Sequence, residues 1–263
     1  TIVMLQALVA GVVRCDQALV LAALALGADT SVTVVDPFTQ ESCCMLSVAA
    51  RNGHTHLVPH LLAAGLPVEG SGESSITPLH WAASNGHDQV VRQLLSAQAH
   101  LQARGFDSVT ALHMTAQVGQ ESCMVMLLGA GADPDSRDDN GRSPLHYAAV
   151  GNQINVVQVL LTAAGCDRHA VGKFGETALH YAARVGGLEV TQCLVVAGLD
   201  PRARNMAGDT PLDEARLAGS DRVEWWLRKL PRPHPAAGTP TLHLVKLFLT
   251  LMAIVLRSGG NYF

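Results

Sequence analysis

At 263 residues with 48% of them hydrophobic, the chain is long enough for one or two domains and apolar enough to bury a continuous core. Only 4% are aromatic, so that core must be built from Ala, Leu and Val. The formal net charge of −4, with no basic stripe, excludes a general nucleic-acid binder, whose phosphate contacts require clustered Lys and Arg.

The N-terminal stretch is apolar, but it has no basic start and Arg14-Cys15-Asp16-Gln17 interrupts it, which argues against a signal peptide. From Cys44 onward one pattern recurs. Cys44-Met45-Leu46-Ser47-Val48-Ala49-Ala50 is followed by Thr77-Pro78-Leu79-His80-Trp81-Ala82-Ala83 and Thr110-Ala111-Leu112-His113-Met114-Thr115-Ala116. Ser143-Pro144-Leu145-His146-Tyr147-Ala148-Ala149, Thr177-Ala178-Leu179-His180-Tyr181-Ala182-Ala183 and Thr210-Pro211-Leu212-Asp213-Glu214-Ala215 complete the series. The starts lie 33 residues apart, except for 34 between Ser143 and Thr177, where one extra residue falls near Thr162–Gly165. A fixed period of this length marks a stacked solenoid.

The period spanning residues 136–169 shows how one unit is built. Asp138-Asp139-Asn140-Gly141 is turn chemistry that favours positive φ at a hairpin tip. Ser143 is placed to cap a helix and Pro144 sits in its first turn, where a missing N–H is harmless. Leu145, Ala148 and Ala149 give that helix a small apolar face, and Gly151-Asn152, both tolerant of left-handed backbone, end it. Val156, Val157, Leu160 and Leu161 recur at helical spacing in a second helix, which Ala164-Gly165 closes.

The six cysteines (Cys15, Cys43, Cys44, Cys123, Cys166 and Cys193) do not have the spacing of a secreted disulfide scaffold, and a reducing compartment fits them better. Cys43-Cys44 has no CxxC partner for zinc. His80, His113, His146 and His180 are separated by a full repeat and cannot converge on one ion. His54, His56 and His60 are denser, but Pro59 intervenes and no carboxylate completes a zinc-hydrolase motif, so they read as a surface cluster. No G-x-S-x-G, P-loop or H-E-x-x-H is present, so no catalytic residue, metal or cofactor is assigned and the chain reads as non-enzymatic.

Toward the C-terminus, Asp221 to Lys229 is polar enough to close a stack, and Trp225-Trp226 is suited to covering its end. Residues 231–241 form a Pro-rich linker, and residues 242–263 an apolar tail. The run Leu242–Leu256 is short against the roughly 20 residues of a bilayer span and carries Lys246. If it did insert, Arg228, Lys229 and Arg232 would hold the repeats on the cytoplasmic side.

The recurring Thr-Pro-Leu-His signature and its 33-residue period closely resemble the ankyrin repeat family. The resemblance implies an all-α solenoid: a stack of helix-turn-helix units joined by β-hairpin loops. Six repeats would fill residues 37–230. Gly27-Ala28-Asp29 aligns with Gly131-Ala132-Asp133, which places a degenerate first repeat over 1–36, its signature reading Gln6-Ala7-Leu8-Val9. In this family the signature His ties neighbouring hairpin loops together with help from the Thr, and a protein partner binds the concave face of hairpin tips and first helices.

The family's variable contact positions fall on Phe106, Asp107 and Val109; on Asp139, Asn140 and Arg142; and on Lys173, Phe174 and Glu176. After the signatures they fall on Ser84, Asn85, Gln117, Val118, Val150, Arg184 and Val185. Trp81, Tyr147 and Tyr181 border the same positions, with packing between helices as their other use. Phe106, Arg142, Phe174 and Arg184 are expected to form one strip, the rings as apolar anchors and the arginines as donors to a partner. The expected protein is a cytoplasmic adaptor with a protein partner, no nucleic acid, and membrane contact only through residues 242–256. Two alternatives share the layout: the cytosolic domain of a membrane protein such as an ankyrin-type palmitoyltransferase, whose Asp-His-His-Cys signature is absent, and a ubiquitin-ligase substrate receptor of SOCS-box type, whose Cys and Pro pattern the tail lacks.

Overall fold

The structure, a computed structural model, describes residues 2–30, 33–35, 42–70 and 75–231. The apolar tail and all but the first residue of the Pro-rich linker, with the membrane reading attached to them, lie outside the described residues. Among the described residues no helix is long and apolar enough to cross a membrane.

Seven helix pairs follow one another along the described chain: α1 (Ile2–Arg14) with α2 (Gln17–Ala25), α3 (Met45–Arg51) with α4 (Val58–Ala63), and α5 (Pro78–Ser84) with α6 (Asp88–Ser96). They continue with α7 (Ala111–Val118) and α8 (Glu121–Gly129), then α9 (Pro144–Val150) and α10 (Ile154–Thr162). The last two pairs are α11 (Ala178–Val185) with α12 (Leu188–Val196) and α13 (Pro211–Leu217) with α14 (Asp221–Lys229). A two-stranded antiparallel sheet, β1 (Thr33–Val35) and β2 (Ser42–Cys44), pairs Thr33 with Cys44. The chain divides into two compact units, Thr1–Asp167 and Arg168–Phe263.

In the first unit the inner helices α1, α3, α5, α7 and α9 pack in sequence, and the outer helices α4, α6, α8 and α10 do the same. In the second unit α11 packs on α13 and α12 on α14. Among the described residues no helix is long enough to be stable alone, so helix formation and packing are one event. The core is aliphatic and small, as the composition requires. Leu46, Leu79, Leu112 and Leu145 hold the same register in the first unit and are fully buried, as is Leu179 in the second. Ala82-Ala83 and Ala148-Ala149 let neighbouring helices approach closely.

The signature residues form the helix starts. Thr77, Thr110, Ser143 and Thr177 cap α5, α7, α9 and α11 in reciprocal capping boxes, with His in the place usually held by Glu or Gln. The Thr77 backbone N–H donates to His80 Nδ1 at 3.2 Å, and Thr110 and Thr177 repeat the bond to His113 and His180 at 3.2 and 3.1 Å. A nitrogen that accepts from an amide N–H carries no proton, so each ring is the neutral tautomer with its hydrogen on Nε2. That hydrogen is donated to a backbone carbonyl 29 residues later: His80 to Val109, His113 to Arg142, and His180 to Asp209, at 3.0–3.2 Å. In α13, Asp213 replaces the imidazole and accepts the Thr210 N–H at 3.0 Å.

A second set of links runs through the turns between paired helices. His87 donates to the Arg51 carbonyl, Gln153 to that of Gln117, and, in the second unit, Ser220 to that of Arg184. The glycines there are matched to these side chains: a Cβ on Gly119 (φ +88) would strike the Gln153 carboxamide. One expectation is corrected at the end of α9. Gly151 is right-handed (φ −73) and Asn152 alone takes the left-handed turn (φ 53). Glycine is required at 151 for another reason, since a Cβ there would collide with the Gln117 carbonyl oxygen. The extra residue of the 34-residue spacing is absorbed just after α10. Elsewhere Ala99, Ala132 and Leu199 donate back to Leu94, Leu127 and Leu194 in Schellman closures, whereas Ala163 turns extended and Cys166 bonds to Ala163 instead.

The buried imidazoles make stability depend on pH. Burial pushes His80 and His113 down to about 4, and lowers His180 as well. Between that value and the ordinary 6.5 the unfolded chain binds more protons than the folded one, so stability is complete above about 6.5 and is lost as pH falls through this window. His80 and His113 are each expected to cost on the order of 2 kcal/mol between pH 7 and pH 5. Urea titrations at the two pH values measure it; equal midpoints would contradict the assignment.

Candidate functional site: the hairpin tips and inner helices

Four hairpins ahead of the inner helices share one hydrogen-bond pattern. In each, the residue five before the capping Thr or Ser donates its N–H to the carbonyl one before it: Gly105 to Val109, Asp138 to Arg142, Gly172 to Glu176, and Asn205 to Asp209. The residue two before the cap then bonds back to the first: Ser108 to Gly105, Gly141 to Asp138, Gly175 to Gly172, and Gly208 to Asn205. The carbonyls of Val109, Arg142 and Asp209 each accept both their own hairpin bond and the imidazole N–H from the preceding repeat. Adjacent tips are also joined directly, Asp139 N–H to the Asp107 carbonyl in the first unit and Met206 N–H to that of Phe174 in the second, both at 2.9 Å.

In the first unit Phe106 is 49% exposed at its tip, with Asp107 and Asp139 exposed beside it on adjoining hairpins. In the second unit Phe174 is 60% exposed and Lys173 next to it is exposed. Neither ring is a buried packing residue of its own repeat. Met206, 76% exposed on the tip bonded to Phe174, extends that apolar edge.

The arginines have internal work. Arg142 donates from Nε to the buried Asp138 carboxylate at 2.8 Å and from a terminal nitrogen to the Tyr147 hydroxyl at 2.9 Å, and its guanidinium lies 4.8 Å from the centre of the Tyr147 ring. The Tyr147 hydroxyl itself donates to Asp138 at 2.8 Å. Burial works to raise the Asp138 carboxyl, but the backbone and side chain of Arg142 and the Tyr147 hydroxyl outweigh it and hold it below the usual carboxylate range. In the second unit Arg184 bridges Glu176 and Glu214, donating to both Glu214 oxygens at 2.9 and 3.0 Å, while Tyr181 donates to Glu176 at 2.5 Å. Glu176 is likewise held low: burial opposes ionisation, and the Tyr181 and Arg184 hydrogen bonds overcome it. Tyr147 is thus buried inside one network and Tyr181 is half-buried in the other. Trp81 is half-buried with the Arg51 guanidinium 4.6 Å from its ring centre.

Sequence register places Arg142 and Arg184 at contact positions, and the structure engages Arg142 with Asp138 and Tyr147 and Arg184 with the Glu176–Glu214 pair. Glu214 was missed. Its signal is that it occupies the slot filled by Tyr147 and Tyr181 in earlier signatures. Leu217 (75% exposed) and Met206 were also missed as exposed apolar residues, since a single Leu or Met in a loop or at a helix end has no periodic signature.

His54, His56 and His60 do not converge. His56 approaches Cys15 at 3.5 Å and His60 pairs with Gln17 at 3.0 Å, both at the α1–α2 turn. Cys44 caps α3, its sulfur accepting the Ser47 N–H at 3.3 Å. Among the described residues no group of three or more His, Cys, Asp or Glu is placed to hold a metal ion.

A family model described as ankyrin repeats (3 copies) matches residues 13–105 and 97–170, and one described as ankyrin repeat matches 174–206. No curated protein sequence matches the chain.

The Phe106 tip departs from the others in two respects: Ser108 stands where Gly141, Gly175 and Gly208 stand yet adopts the same left-handed backbone (φ 59), and Asp107 is left-handed as well (φ 52), unlike Asn140, Phe174 and Ala207 at its position. A side chain with a Cβ is disfavoured there, so Ser108→Gly should stabilise the fold by about 1 kcal/mol. A rise in the urea midpoint is the expected result, and an unchanged or lower midpoint would contradict this reading of the tip.

Proposed function

Because the chain belongs to the ankyrin repeat family, a family of protein-interaction modules, we propose that it is a cytoplasmic adaptor that binds a protein partner through its hairpin tips and the adjoining inner-helix side chains. The observation that carries this reading is the exposure of Phe106 and Phe174 at the tips of hairpins whose backbones are already fixed by their own bonds. An aromatic ring on a rigid support loses little entropy on contact, and such residues commonly anchor interfaces. Asp107, Asp139 and Lys173 supply exposed charge beside the rings. Arg142 and Arg184, with Tyr147, Tyr181 and Trp81, act behind them by fixing the inner-helix surface. The net charge of −4 favours a protein partner over nucleic acid.

The test begins with recovery of partners from a cytosolic extract on immobilised chain. A recovered partner is then titrated against purified wild type and Phe106→Ala/Phe174→Ala. Loss of a true anchor costs at least about 2 kcal/mol, some thirtyfold in Kd, with the melting temperature unchanged. A stable double variant that retains full affinity would place the contact surface elsewhere, and one that melts early would make the rings packing residues.

A further inference from the structure

The side chains at the hairpin tips differ in kind between the two units. Four and three residues before the helix cap, the first unit carries Phe106-Asp107 and Asp139-Asn140, and the second carries Lys173-Phe174 and Met206-Ala207. The exposed charge at these positions is acidic in the first unit, on Asp107 and Asp139. In the second unit it is Lys173, joined by Arg204, which is exposed two residues before Met206 and donates to the Gly208 carbonyl of its own tip. Among the described residues neither cation forms an ion pair. The acids beside them are mostly engaged: Glu176 and Glu214 are buried and bound to Arg184, and Asp213 caps α13 and pairs with Arg216. Asp209, half-buried, is the remaining acid of these tips.

The second unit's tips also present the larger apolar edge. The Met206 N–H bonds to the Phe174 carbonyl, and Gly175 (φ +73) leaves room for that approach. A Cβ at Gly175 would stand 3.2 Å from the Met206 nitrogen and 3.5 Å from its Cγ. The Met206 side chain therefore lies over Gly175, beside Phe174. Val171, paired with Thr177 across the same hairpin, is 52% exposed. Three large apolar side chains and two cations are thus exposed on two joined tips.

We propose that this edge takes a protein segment that combines apolar side chains with carboxylates. The proposal rests on the adaptor reading above and adds the chemistry of the partner. The segment's apolar side chains cover Phe174, Met206 and Val171, and its Asp or Glu side chains meet Lys173 and Arg204 at the rim. Like charge disfavours a basic segment here, and Asp107 and Asp139 disfavour an acidic one at the Phe106 tip. An anionic membrane surface fits less well, since such surfaces are read by clusters of about four to eight Lys or Arg and this edge offers two.

Selection from a displayed library of random peptides on the immobilised full chain tests the proposal. The enriched sequences are expected to combine Asp or Glu with Leu, Ile or Phe. Binding of one such peptide, followed by fluorescence anisotropy, is expected to fall at least about tenfold with Lys173→Glu/Arg204→Glu and about thirtyfold with Phe174→Ala/Met206→Ala. It is also expected to weaken as salt rises, and to be unmoved by Val125→Ala, a similarly exposed apolar residue on the outer helix α8. The substituted side chains are all exposed, so the circular-dichroism melt should not change. No enrichment, or binding lost with Phe106→Ala but kept with Phe174→Ala/Met206→Ala, would overturn the proposal. So would an edge that binds phosphatidylserine vesicles in place of peptide. Enriched peptides that are basic or uncharged yet still require Phe174 would overturn this assignment of the partner and leave the adaptor reading standing.

Discussion

A neutral imidazole that bonds in two directions is the interaction on which this fold depends. At Nδ1 it receives the N–H of the capping residue and so starts its own helix; at Nε2 it donates to the hairpin carbonyl of the next repeat. One side chain therefore satisfies an orphan donor at a helix start and fixes a loop that has almost no strand pairing of its own. Burial keeps the ring neutral, and neutrality is what allows Nδ1 to accept. A protonated ring would have to break the capping bond, so the same burial that stabilises the stack near neutral pH makes it sensitive to acid.

The exposed chemistry follows from that clamp. Within each unit, with the hairpin backbones closed and tied to each other, the tip side chains are presented on a rigid edge. Behind the edge, buried carboxylates hold Arg142 and Arg184 over tyrosine rings. Breaking either pair would strand a carboxylate that is nearly buried, a far larger loss than that of a surface ion pair. These arginines thus set the shape of the inner-helix surface in each unit, and the aromatic rings at the tips remain exposed.

Much of this was legible in the sequence. The period, the Ser or Thr caps and the aliphatic core follow from residue type and spacing, because each depends on contacts repeated in every unit, and the histidine links are implied by the resemblance to the ankyrin family. What could not be read depends on one particular neighbour. Gly151 looks like a left-handed stop until the Gln117 carbonyl is seen against it. Arg142 has an acid four residues before it, a pairing the sequence does display, but the bond to Tyr147 and the closure of the hairpin around Asp138 require coordinates. Arg184 depends on Glu214, 30 residues away.

The state of the His113 ring tests the account most directly. Nitrogen-15 NMR of the imidazole distinguishes the two neutral tautomers and the cation. The account predicts a neutral ring protonated at Nε2, unchanged from pH 7.5 to pH 5 for as long as the chain remains folded. A ring protonated at Nδ1, or one that titrates near 6.5 in the folded protein, would contradict it.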